Sequence, residues 1–113
     1  MKIGIIGGGA SGLVCALTAK TDDNEVIIFE RNKEVGKKIL ATGNGKCNYW
    51  NEDQNILHYE TLNTNHLSEI INSNTEEKVL SFFKKLGILP KLKNGYYYPN
   101  SNQALTIRNA LEE

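Results

Sequence analysis

Apolar residues open the chain in a short run, Lys2-Ile3-Gly4-Ile5-Ile6, and return in a second, Glu25-Val26-Ile27-Ile28-Phe29. The first run predicts a strand buried on both faces, and the second a further parallel strand. Between them the stretch from about Ala10 to Lys20 has the spacing of an amphipathic helix, giving a strand–helix–strand unit. Past Glu30 the pattern loosens. Arg31 to Glu34 reads as a polar turn, and Gly36 to Ala41 as a short helical segment. Thr42 to Asn48 is a glycine-rich loop, and Asn51 to about Asn63 has no clean period.

Periodicity then returns. Leu67, Ile70 and Ile71 stand at i, i+3, i+4 and predict a short helix. Asn74 with Glu77 resembles a capping box, opening a helix to Leu86 with an apolar stripe of Val79, Phe82, Phe83 and Leu86. Gly87 suits the position just past its end. Asn94-Gly95, flanked by Ile88 to Lys93 and Tyr96 to Tyr98, is a strong hairpin signal. A last amphipathic segment runs from about Asn102 to the end, with Ala104, Leu105, Ile107 and Leu111 apolar.

The turn after the first strand carries the chemistry. Gly7-Gly8-Gly9-Ala10-Ser11-Gly12 contains the GxGxxG spacing, and Glu30 stands at the tip of the second strand. Gly7 permits the tight turn, Gly9 lets a pyrophosphate approach the backbone, and Gly12 lets the helix pack on the sheet. The helix N-terminus turns free N–H groups toward the phosphates. Glu30 can accept from a ribose 2′-hydroxyl, and its charge would repel a 2′-phosphate. A glycine triplet alone is weak evidence, but strand, helix, second strand and carboxylate together point to an ADP-containing dinucleotide, NAD or FAD.

Composition narrows the classes. The chain has 113 residues, 40% hydrophobic and 23% charged, with a formal net charge of zero. That describes one globular domain at most, and gives no electrostatic support for a nucleic-acid or membrane-surface partner. No apolar run approaches the ~20 residues of a membrane span, and the glycine-broken start is not a signal peptide. Cys15 and Cys47 lack metal or redox spacing, which favours the cytoplasm. Cys15 is expected to pack within the first helix, and His58 and His66 to lie on the surface. Charge is uneven: Arg31 to Lys46 holds five basic residues against Glu34 alone, whereas Cys47 to Glu77 holds six acidic residues and no Lys or Arg. Because the basic cluster follows the glycine turn, one or two of its members are candidates to face an anion.

Gly45-Lys46 is not a phosphate loop of the Walker type, since Leu40 and Cys47 stand where Gly and Ser or Thr are needed. Gly36-Lys37-Lys38-Ile39-Leu40-Ala41-Thr42-Gly43-Asn44-Gly45-Lys46-Cys47-Asn48 instead resembles the second signature of a bacterial flavoprotein family. These are the NAD(P)/FAD-dependent oxidoreductases that include the aminoacetone-oxidase-family FAD-binding proteins. Thr42 replaces the family's usual Ser, Lys46 its Arg, and Tyr49-Trp50-Asn51 its usual ending. Gly95-Tyr96-Tyr97-Tyr98-Pro99-Asn100-Ser101 is similar to a further family stretch, so the likeness covers nearly the whole chain.

The resemblance implies an α/β fold, the N-terminal portion of a Rossmann-like FAD-binding domain followed by a helical segment and a hairpin. By resemblance Gly7, Gly9, Ala10, Ser11 and Gly12 hold the FAD pyrophosphate, and Glu30 with Arg31 the adenosine end. Lys38, Thr42, Gly43, Asn44, Gly45, Lys46, Cys47 and Asn48 lie along the flavin side. Cys47 is expected to be a small loop residue near the flavin rather than a nucleophile. Beyond FAD, the expected partners are NAD(P)H or a small amine or carbonyl substrate, and a second copy through the open sheet edge. A third parallel strand, a substrate domain and a C-terminal FAD segment are expected beyond Glu113. The alternative is a non-catalytic, truncated dinucleotide-binding module.

Overall fold

β1 (Lys2–Ile6) and β2 (Glu25–Phe29) pair in parallel, Lys2 opposite Glu25 through Ile6 opposite Phe29. The crossover between them is α1 (Ala10–Ala19). The computed structural model describes residues 1–112 and places a second, antiparallel sheet apart from the first, with strand order β3-β5-β4. Its strands are β3 (Trp50–Asn51), β4 (Pro90–Lys93) and β5 (Tyr96–Pro99). Three further helices, α2 (Thr64–Ser73), α3 (Glu76–Lys85) and α4 (Ala104–Glu112), complete the α/β architecture. A segment over Lys37–Gly45 follows β2, 3-10 at its start and broken by a non-helical kink at Thr42, Gly43 and Asn44, and a single 3-10 turn covers Ile56–His58.

The parallel strands are not buried on both faces. Along each, burial alternates: Ile3, Ile5, Val26 and Ile28 turn inward, while Ile6 is 93% and Phe29 60% exposed. Strand side chains point to opposite faces in turn, and only one face is covered, by α1. The core sits beneath that face. Leu13 from α1, Ile39 from the 3-10 segment and Ala104, Ile107 and Leu111 from α4 are buried together, with Ile88 and Cys47. α4 therefore joins the segment after β2 to the α1 layer. Its apolar positions were legible, though Leu105 faces solvent.

α3 begins one residue later than the capping box predicted. Thr75, not Asn74, is its cap, and its Oγ1 accepts from the Lys78 amide at 3.3 Å. Asn74 instead closes α2, its side-chain amide donating to the Ile70 carbonyl at 2.8 Å. Both residue types cap well, and here Asn74 closes α2 while Thr75 opens α3. The hairpin turn has positive φ at both Asn94 (53°) and Gly95 (80°), the primed geometry that matches strand twist. The loop from Asn51 stays largely irregular, but Trp50 and Asn51 pair with Tyr97 and Tyr96 as a short edge strand. Cys15 is exposed and takes no part in the packing of α1.

Candidate functional site

Glycines shape the β1–α1 turn in three different ways. Gly7 has φ +95°, a backbone region that side chains disfavour. A β-carbon on Gly12 would overlap the Gly7 carbonyl, so only glycine lets α1 come this close to the turn. On Gly9 a β-carbon would meet nothing within 4 Å and would project into open space. Gly9 caps α1 with no side-chain bond, and the first intrahelical bond runs from the Leu13 amide to the Gly9 carbonyl at 3.0 Å. The amides of Ala10, Ser11 and Gly12 thus precede any intrahelical acceptor and are free for an anion.

Gly8 is held from both ends. Its amide donates to Glu30 Oε2 at 2.6 Å, and its carbonyl accepts from the Gly36 amide at 2.6 Å. Glu30 Oε1 accepts from the Asn32 amide at 2.9 Å and its side chain at 3.1 Å. Hydrogen bonds from the Asn32 and Gly8 backbones hold the Glu30 carboxyl below the usual carboxylate range. Backbone and side-chain donors thus surround the carboxylate, which lines the cleft.

One cleft of about 570 Å³ gathers Gly9, Ala10, Ser11, Glu30, Arg31, Lys38 and Thr42, seven of the positions singled out from the sequence. Gly8, Asn32, Glu34 and Ile39 also line it and were not singled out as site residues, whereas Lys37, also lining it, belongs to the basic cluster offered as facing an anion. Among the described residues Arg31, Lys37 and Lys38 join no ion pair, so the cleft carries uncommitted positive charge.

The second glycine loop divides. Gly43, Asn44, Gly45 and Cys47 all have φ between 54° and 81°, a left-handed run that curls the chain back on itself. Cys47 donates its amide to the Thr42 carbonyl at 2.9 Å, and a β-carbon on Gly43 would strike the Asn48 backbone. Cys47 and Asn48 line a smaller, apolar cleft of about 260 Å³ with Tyr49 and Phe83. That cleft shares Ala10, Ile39 and Thr42 with the larger one. Burial pushes the Cys47 thiol up, which suits a packed loop residue better than a nucleophile. With its amide nitrogen turned toward the sheet, Asn48 donates to the Trp50 carbonyl at 2.7 Å and ties the loop to β3. Lys46 is not brought to either cleft. It lies with Lys91 and Lys93 beside the hairpin.

Tyr49 and Trp50 each bury a polar atom, Oη and Nε1, without a partner among the described residues. His58 and His66 are exposed, His58 bonded to Asp53 at 2.8 Å. Among the described residues no helix is long and apolar enough to cross a membrane, and no cluster of His, Cys, Asp and Glu could hold a metal.

A glycine turn opening a crossover helix between parallel strands, with a carboxylate at the second strand's tip, defines a Rossmann-type nucleotide-binding domain. Residues 1–113 match the HI0933-like protein Rossmann domain, and the chain belongs to that family. It is 42% identical over 113 residues to the 3-dehydro-bile acid delta(4,6)-reductase of Clostridium scindens, covering 98% of this chain and 28% of that protein. Over 84 residues it is 33% identical to the ribosomal RNA dihydrouridine synthase of Haemophilus influenzae, covering 74% of this chain and 21% of that protein. The flavin-containing monooxygenase FMO GS-OX5 of Arabidopsis thaliana is 34% identical over 70 residues, 58% of this chain and 15% of its own. The chain spans about a quarter of the length of the first two relatives.

Proposed function

We propose that residues 1–113 form the FAD-binding part of a flavin-dependent oxidoreductase. One observation carries the reading above the others. Glu30 grips the Gly8 amide at 2.6 Å in the same cleft that Gly9, Ala10 and Ser11 line. The open space over Gly9 and the free amides behind it suit a pyrophosphate, so the residues present fit the cofactor. Arg31, Lys37 and Lys38 supply countercharge, and Glu30 accepts from a ribose hydroxyl. Thr42, Cys47 and Asn48 stand where an apolar cleft continues the first, the direction a flavin ring would follow from the ADP end.

Bound there, FAD would supply hydride and electron transfer, and the protein's part is to bind, orient and shield it. NAD(P)H is the electron donor that matches a relative named a reductase. The same reading puts the protein in the cytoplasm, where two free thiols stay reduced.

The test is to release the nucleotide from purified protein and identify it by absorbance and mass. FAD is expected. Recovery of NADP, or of no nucleotide from well-folded protein, overturns the proposal.

A further inference from the structure

Arg108 lies on α4, far along the chain from the glycine turn, yet its side chain is only 11% exposed. Its Nε donates to the Val35 carbonyl at 3.1 Å. One terminal nitrogen lies 3.1 Å from Glu112 and the other 3.8 Å from Glu34. The aliphatic stem passes over Gly36 so closely that a β-carbon there would come within 2.9 Å of Arg108 Cγ. An arginine that is largely covered, ion-paired and bonded to a backbone carbonyl holds that peptide firmly.

That peptide is the one bearing on the phosphate turn. Gly36 donates its amide to the Gly8 carbonyl at 2.6 Å, and a β-carbon on Gly8 would meet Val35 Cγ1 at 2.7 Å. Glu30 fixes one side of Gly8, and the Val35–Gly36 peptide fixes the other. We infer that Arg108 is a positioning residue for nucleotide binding, setting the Gly8 turn through Val35 and Gly36 rather than by touching the ligand. This rests on the nucleotide reading above. It also gives α4 a role beyond core packing, since the turn's geometry then depends on α4 being docked.

Arg108→Lys separates positioning from charge. It keeps a cation between Glu34 and Glu112 but puts a methylene where Nε–H stood. The expected result is roughly tenfold weaker ADP binding, the scale of losing one charge-assisted hydrogen bond. Hydrogen exchange at the Gly36 amide should quicken, while the melting temperature stays near that of the wild type. Glu112→Gln removes an ion pair and leaves the Val35 contact, so affinity and Gly36 exchange should both hold. A loss there equal to that of Arg108→Lys overturns the assignment. Arg108→Met keeps an apolar stem over Gly36 but has no donor for the Val35 carbonyl, and should reproduce the loss of affinity even if Arg108→Lys does not fold. Wild-type ADP affinity in either Arg108→Lys or Arg108→Met overturns the inference alone. Failure of the wild-type protein to bind either ADP or FAD removes the nucleotide reading, and this one with it.

Discussion

Glu30 is both a candidate ligand to the nucleotide and a fastener of the turn that would receive it. Its three donors favour the ionised form, so its folded pKa lies below the ordinary 4.5. A carboxylate of that kind stabilises the fold fully above pH 4.5, and the contribution disappears as the pH falls through its lowered value. FAD retention is therefore expected to hold at neutral pH and to drop once the pH goes below 4.5, with the Gly8 amide released first. Acid titration followed by flavin fluorescence and by the Gly8 amide signal checks this. Glu30→Ala should lose flavin several-fold at pH 7 and flatten that acid transition, with the fold retained because the side chain is outside the core. Unchanged retention in Glu30→Ala would reduce the residue to a solvated charge at a strand end.

At the scale of elements, local signals carried most of the fold. The glycine turn, the two parallel strands, the Asn94-Gly95 hairpin and the apolar stripes of α3 and α4 each depend on residues close in sequence. Their spacing speaks directly to backbone geometry. Errors arose where neighbours competed or where contacts were long-range. Asn74 and Thr75 are both good caps, and composition could not say that the first would end α2 and the second begin α3. Thr75→Ala should accordingly cost about 1 kcal/mol in thermal unfolding, with fraying confined to the first turn of α3. Wild-type stability in that variant would mean the 3.3 Å bond contributes little. The site divided in the same way. Gly9, Glu30 and Thr42 converge because one βαβ unit and its following segment bring them together. The departure of Lys46 toward the hairpin, and the reach of Arg108 to Val35, are products of tertiary packing that no spacing encodes.

Across the whole molecule, the parallel sheet has one covered face and one bare one. The chain spans 28% of its reductase relative, and an isoalloxazine ring needs walls on more than one side. Residues 1–113 alone are thus expected to show little or no flavin turnover, and to self-associate through Ile6, Phe29 and the unpaired strand edges. NAD(P)H consumption and sedimentation of this chain decide it, and steady turnover by a monomer would refute the expectation. Cys15 is open to solvent on α1, whereas Cys47 is 6% exposed where the second glycine loop curls back. An alkylating reagent should therefore modify one thiol within its ordinary reaction time and the other only when that loop lifts. The lag between the two adducts, timed by mass, becomes a clock for loop opening that needs no ligand. Its slowing on addition of FAD would report the loop closing over the flavin side.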